Sequence, residues 1–215
     1  MSKDLSNYRK SYEKQELLES ICPENPIELF QTWFIKADTS NMVDESNAMT
    51  VSSIGLDGFP KSRVVLLKKF TWEGFIFYTN YNSEKGKAIA ANNNICLSFF
   101  WPALEQQIII KGNAELLAEN LSDGYFESRP DGSKLGAWAS NQSEVVASRE
   151  ELDGNLKTFE NQFKGKEIIR PKHWGGYLVK PISIEFWQGR PNRMHDRIRY
   201  TLEEDFSWKK ERLAP

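Results

Sequence analysis

Ala48-Met49-Thr50-Val51-Ser52-Ser53-Ile54, Gly55-Leu56-Asp57-Gly58-Phe59-Pro60 and Lys61-Ser62-Arg63-Val64-Val65-Leu66-Leu67-Lys68-Lys69-Phe70 follow one another without interruption. The first run is a strand, the second holds an Asp-Gly turn, and the third is a second strand over 61–70. Thr71-Trp72-Glu73-Gly74 then turns the chain into a third strand, Phe75 to Thr79. Three strands joined by tight turns within about thirty residues predict an antiparallel meander. Val64 to Leu67 is apolar on both faces, so the second strand is expected to be central. Arg63 and Lys68, five apart, then point to opposite faces. A cation near buried ground calls for an anionic partner.

Outward from this meander, Pro26 opens a helix to about Ala37 with Leu29, Phe30, Trp33 and Phe34 on one face. Residues 38–47 read as a polar loop. Residues 1–20 are polar, and composition alone favours a frayed end there, despite Tyr8 and Tyr12. Downstream, Ser83 caps a short helix to about Ala91. Ile95 to Trp101 and Gln107 to Leu117 are further strands, and Ser122 opens a helix through Ser128. Pro130-Asp131-Gly132 reads as a turn and Ser133 to Ala139 as a helical turn. Ser148 caps a helix from Arg149 to about Phe163. Pro171 to Gly176 is a connector. Tyr177 to Val179, Ile182 to Gln188, Arg197 to Glu203 and Phe206 to Leu213 supply the last strands.

The sum is a mainly β chain with flanking helices, in one domain spanning 1–215 and without repeats or linkers. So many short antiparallel strands favour a closed or split barrel. No alternating βαβ pattern, dinucleotide fingerprint or P-loop is present.

Composition narrows the function. Hydrophobic residues are 40% and charged residues 27% of 215, ordinary for a soluble globular chain. The net charge of -2 offers no global attraction to nucleic acid or to an anionic membrane. No apolar run approaches the roughly 20 residues of a membrane span. The charged first residues lack a signal core, so a cytoplasmic location is expected. The two Cys, Cys22 and Cys96, stand far apart in no motif, which fits a reducing compartment and no metal site.

Any anion site must therefore be local, and four clusters of cations qualify. Arg63 and Lys68 form the first. In the second, Tyr78-Thr79-Asn80 feeds the helix start with Ser83, Lys85 and Lys87; backbone N–H groups and the helix dipole there suit a phosphate. In the third, Tyr125 and Arg129 share a helix face, followed by Ser133 and, further on, Gln142-Ser143. The fourth is Trp187-Gln188-Gly189-Arg190-Pro191-Asn192-Arg193-Met194-His195-Asp196-Arg197, a cationic and aromatic loop between two strands, where Gly189 and Pro191 shape the turn. An exposed hairpin tip with solvated arginines is the plain alternative for this loop. His173, beside Trp174, reads as structural. With no paired carboxylates, nucleophile elbow or Cys/His set, two phosphate-type pockets suggest that a phosphorylated cofactor does the chemistry.

The chain resembles the pyridoxamine 5′-phosphate oxidase family through Arg63-Val64-Val65-Leu66-Leu67-Lys68, Phe77-Tyr78-Thr79-Asn80, Ser128-Arg129-Pro130, Gly136-Ala137-Trp138-Ala139-Ser140-Asn141-Gln142-Ser143, Glu185-Phe186-Trp187-Gln188-Gly189, Arg193-Met194-His195-Asp196-Arg197 and Arg212-Leu213-Ala214-Pro215. These matches run in order from about Arg9 to the last residue. The resemblance implies an antiparallel split barrel of the FMN-binding type, a homodimer with FMN at its interface. It implies oxidation of pyridoxamine or pyridoxine 5′-phosphate to pyridoxal 5′-phosphate, with hydride passing from C4′ to flavin N5 and dioxygen yielding hydrogen peroxide.

The FMN contacts so implied are Arg63, Val64, Val65, Leu66, Leu67, Lys68, Tyr78, Thr79, Lys85, Gln107, Gln142, Ser143, Trp187 and Arg197. The substrate phosphate would meet Lys68, Tyr125, Arg129 and Ser133. Arg193, Met194 and His195 would lie at the substrate ring, with Arg193, His195 and Arg197 carrying the chemistry. Arg9, Lys10, Ser11 and Tyr12 match the family's segment that covers the substrate, which reverses the frayed-end reading. Two positions depart from the family: Glu84 and Gln106 stand where cations are common, and Glu84 leaves the FMN phosphate one fewer positive partner. A split-barrel flavoprotein with another substrate, a non-enzymatic pyridoxal phosphate binder and a single-strand nucleic-acid barrel are the competing readings.

Overall fold

The structure, a computed structural model, describes residues 2–215; Met1 of the N-terminal segment lies outside the described residues. Among the described residues nine strands and five α-helices follow in the order α1 (Pro26–Thr39), β1 (Ala48–Ile54), β2 (Pro60–Leu66), β3 (Lys69–Thr71), β4 (Gly74–Asn80), α2 (Glu84–Ala91), β5 (Asn94–Trp101), β6 (Gln106–Leu116), α3 (Glu119–Glu127), α4 (Asp131–Ala139), α5 (Arg149–Phe163), β7 (Trp174–Gln188), β8 (Asp196–Leu202) and β9 (Trp208–Arg212). The strand order is β2-β1-β5-β6-β7-β4-β3, with β8 beside β7 and β9 beside β8. Its two end strands, β2 and β3, are separated in the chain only by Leu67 and Lys68. The ends of the sheet are thus joined covalently, as in a split barrel.

Two compact units divide the chain. One comprises the described part of Met1–Met49, with Leu97–Lys111 and Pro181–Pro215; the other comprises Thr50–Cys96 and Gly112–Lys180. The first is organised by α1. Asn25 caps this helix, its side chain accepting from the Ile27 N–H at 2.9 Å, and Pro26 occupies the first turn. The apolar face then meets the sheet edge-on: Phe30 against Phe99 at 5.3 Å and Trp33 against Phe186 at 5.3 Å. Phe30, Phe99 and Phe186 are fully buried, so truncating any of them to Ala should cost about 3–5 kcal/mol.

The second unit is built on the antiparallel pair of β4 and β7, with Phe77 opposite Tyr177 and Tyr78 opposite Gly176. Phe75, Phe77, Val179 and Phe126 are fully buried there. A Cβ on Gly176 would stand 2.8 Å from Tyr78 Cε1, so the absence of a side chain lets the Tyr78 ring lie across the strand. Ser83 caps α2 as expected, accepting from the Gly86 N–H at 3.2 Å, and Ser148 caps α5.

Several sequence expectations change. The strand expected over 61–70 breaks at Leu67–Lys68, and its halves are the two opposite ends of the strand order. It is therefore peripheral rather than central, and Val64 is 69% exposed. Of the connector and two strands expected over 171–188, everything from Trp174 onward is instead a single long β7. Pro181 falls between the register with β4, which ends at Val179, and that with β8, which starts at Ser183, and so interrupts neither of those ladders. Ser122 does not cap α3 but lies inside it, buried, its Oγ accepting from the Gly176 N–H at 3.1 Å. The turn expected at 130–132 is the start of α4, with Pro130 at the N-cap.

Candidate functional site

In the second unit a cleft of about 720 Å³ opens beside β2, β4 and α4. Val64, Val65, Leu66, Lys68, Tyr78, Thr79, Lys85, Tyr125, Arg129, Ser133 and Gln142 all line it. Helix α2 aims Lys85 into the cleft from its first turn. The Lys85 Nζ reaches Thr79 Oγ1 at 3.1 Å, Gln142 Oε1 at 3.1 Å and Ser83 Oγ at 3.5 Å. All three partners are neutral. Burial, reinforced by the nearby Arg63 and opposed by Glu84, holds this ammonium below its ordinary value.

Arg129 has the same character. Its guanidinium lies 4.4 Å over the Trp174 ring and 5.5 Å over Phe126, and its Nη1 is buried without a partner. Burial pulls its proton affinity down from the usual arginine value. Next to it Tyr125 stacks on Tyr78 at 3.9 Å, and Tyr78 on Trp174 at 5.6 Å. Desolvated cations without carboxylates, hydroxyls and a planar aromatic wall make a receptor for phosphate attached to flat rings.

Other expected residues fall elsewhere. Leu67 is a core residue at 4% exposure and is not among the residues lining the cleft. Arg63 and Ser143 line a smaller cavity with Glu84 and Lys85. Glu84 is matched: its carboxylate bonds Lys61 and lies 3.6 Å from Arg63. His173 bonds the Ala137 carbonyl at 3.2 Å and packs on Trp138, in line with a structural role.

The first unit carries the remainder. Trp187 and Arg197 are register partners at the mouth of the β7–β8 hairpin. Between them a 3-10 turn, Pro191–Arg193, places Asn192 at φ 56 and Arg193 at φ 62, both left-handed. The Arg190 N–H donates to His195 Nδ1 at 3.0 Å, so the neutral ring carries its proton on Nε2. Burial lowers the His195 pKa from 6.5, Arg193 adds to the effect, and Asp196 opposes it. Tyr12 packs edge-on against Trp187 at 5.7 Å and against His195 at 5.8 Å, and Trp187 lies 4.7 Å from His195. Tyr8, Arg9, Lys10, Ser11 and Tyr12 border a cavity of about 640 Å³ with Arg190, Arg193 and His195. Met194 is 67% exposed outside that lining. The segment around Tyr12 is thus a strap held on the protein, not a frayed end.

Arg197 is an engaged cation: its Nε donates to Glu185 at 2.8 Å and its Nη1 to the Ala214 carbonyl at 2.8 Å. Gln107, also in this unit, donates to Ser98 Oγ at 3.4 Å. Arg190, without a role in the sequence, bonds the Gln15 carbonyl at 3.2 Å and lies 3.4 Å from Glu16 and 3.6 Å from Asp196. Its pairing with the nearby Asp196 lay within the loop, whereas Gln15 and Glu16 are distant in the chain.

Comparison with known proteins agrees with this geometry. Residues 35–163 match the family model described as pyridoxamine 5′-phosphate oxidase. Residues 174–215 match that described as pyridoxine 5′-phosphate oxidase C-terminal dimerisation region. The pyridoxine/pyridoxamine 5′-phosphate oxidase of Flavobacterium psychrophilum is 71% identical over 213 residues, covering 99% of this chain and 100% of that protein. Its counterpart in Thermosynechococcus vestitus is 49% identical over 211 residues, 98% of this chain and 99% of that one. Among solved structures, PhzG from Burkholderia lata 383, in complex with tetrahydrophenazine-1-carboxylic acid, aligns with TM-score 0.85 at 28% identity, over 93% of this chain and 98% of its own. A pyridoxamine 5′-phosphate oxidase-related, FMN binding protein from Nostoc punctiforme shares the fold, with TM-score 0.70 at 14% identity over 90% of this chain and 100% of its own.

Proposed function

The chain belongs to the pyridoxamine 5′-phosphate oxidase family, and on that premise we propose that it oxidises pyridoxamine or pyridoxine 5′-phosphate to pyridoxal 5′-phosphate with FMN. The observation that carries this reading is the pair of half-buried cations, Lys85 and Arg129, on one aromatic-walled cleft with no carboxylate bonded to either among the described residues. Such a cleft fits two phosphorylated planar ligands.

In this reading Lys85, Thr79, Gln142, Ser143 and Arg63 hold the FMN phosphate end, and Val64 to Lys68 with Tyr78 flank the flavin. Gln107, Trp187 and Arg197 complete the FMN contacts. Lys68, Tyr125, Arg129 and Ser133 clamp the substrate phosphate, a remote anchor that fixes the ring in register. Arg193 and His195 address the substrate ring, with Met194 between them and Arg9 to Tyr12 as the cover. Bound FMN would accept the hydride leaving C4′ and return the electrons to dioxygen, giving hydrogen peroxide. His195, with Nδ1 occupied by the Arg190 N–H, holds its proton at Nε2 and presents it as a hydrogen-bond donor. Arg197, paired with Glu185, orients more than it adds charge.

The dimerisation region over 174–215 supports a homodimer, and we place FMN at its interface. We further propose one functional domain over 1–215 and a cytoplasmic location, in keeping with two Cys that stand far apart in no motif. No helix among the described residues is long and apolar enough to cross a membrane.

The test is purification with and without added FMN, followed by an oxygen-uptake assay. Yellow protein that consumes oxygen and makes peroxide with pyridoxamine 5′-phosphate bears the proposal out. Protein that takes up no FMN, or that holds it without turnover, contradicts it.

A further inference from the structure

Glu105 is a carboxylate at 2% exposure, and its backbone is left-handed at φ 59. A buried carboxylate persists only where hydrogen bonds replace its water. Here one oxygen, Oε2, accepts from two consecutive backbone donors, the N–H groups of Glu13 at 2.9 Å and Lys14 at 3.0 Å. The other lies 3.8 Å from Lys10 Nζ, and Lys14 Nζ bonds the neighbouring Ala103 carbonyl at 2.6 Å. The Glu105 carbonyl meanwhile accepts from the Gly189 N–H at 2.7 Å and from Gln188 Nε2 at 3.1 Å. One residue therefore ties the strap to the strand end that carries the His195 loop.

Gly189 supplies an independent observation. Its backbone is not left-handed, so the turn does not demand glycine. A Cβ there would stand 2.7 Å from Tyr12 Cγ, 2.8 Å from Tyr12 Cβ and 3.1 Å from Glu105 Cβ. Space for Tyr12 is what the position provides. The sequence reading of Gly189 as a turn former changes accordingly.

We propose that Glu105 is a positioning residue that latches the N-terminal strap, with Gly189 as the seat that lets Tyr12 close against His195 and Trp187. Glu105 need not touch either ligand; it fixes the cover that does. The kinetic arm of this proposal rests on the function proposed above, whereas the structural arm stands without it.

The experiment compares the FMN-loaded parent with Glu105→Ala, Glu105→Gln and Gly189→Ala. Amide exchange at Glu13 and Lys14 should quicken by about tenfold or more in Glu105→Ala, because two donors lose a charged acceptor. Glu105→Gln keeps an acceptor oxygen and should fall between the two. FMN affinity should stay unchanged in all three variants. KM for pyridoxamine 5′-phosphate should rise by about tenfold in Glu105→Ala and Gly189→Ala while kcat moves little, and the double variant should fall short of the product of the two. Unchanged exchange at Glu13 and Lys14, or quickened exchange with an unmoved KM, would overturn the latch. Should Glu105→Ala fail to fold, Glu105→Gln and Gly189→Ala decide on the same two readouts. A parent without oxidase activity would sink the functional reading, and the exchange result would still decide whether Glu105 holds the strap.

Discussion

Lys85 and His195 show how burial sets the behaviour of single groups. Lys85 is bonded only to neutral oxygens, so its charge is reserved for an incoming anion. Lys85→Ala should weaken FMN binding by about tenfold to a hundredfold, the worth of one charge-assisted hydrogen bond, as read by quenching of flavin fluorescence. His195 titrates below 6.5 because burial and Arg193 disfavour its cation. A folded value below the unfolded one means the contribution to stability is present above 6.5 and is lost as pH falls through the folded value. Substrate turnover that needs the neutral ring should decline over the same acid range. Ring titration by NMR should give a value under 6.5, and His195→Asn should flatten the acid limb of kcat/KM; a value above 6.5 would contradict the geometry.

At the scale of elements, α2 and β2 meet through the pairing of Glu84 with Lys61 and Arg63. Glu84 is neutralised by Lys61 and shares Arg63, so the acidic position does not leave a bare negative charge beside Lys85. Glu84→Ala should free both cations and tighten FMN binding by about twofold to tenfold, an effect that fades with added salt; weaker binding would mean that Glu84 holds Arg63 in place.

Elements whose cause is local were legible in sequence: Asn25 and Pro26 before α1, Ser83 before α2, Ser148 before α5 and the Asp-Gly turn between β1 and β2. Those set by pairing partners were not. The break at Leu67–Lys68 follows from two strands joining opposite ends of the strand order, and the continuity of β7 across Pro181 from its successive pairing with β4 and β8. The cation clusters at Lys85 and at Arg129 were readable as groups because their residues are close in sequence. The latch at Glu105 was not, since its partners lie 91 and 92 residues away, and no periodicity records such a contact.

For the whole molecule, family membership and the dimerisation region over 174–215 support the proposed flavin oxidase and its assembly as a homodimer. Sedimentation should return twice the chain mass, and Arg129→Ala should raise KM for the phosphorylated substrate by about tenfold or more while the flavin stays bound. The most direct test is anaerobic titration of the FMN-loaded protein with pyridoxamine 5′-phosphate. Stoichiometric bleaching of the flavin, with one pyridoxal 5′-phosphate formed per flavin and colour restored by air, is the expected result. A flavin that stays oxidised with substrate bound would contradict it.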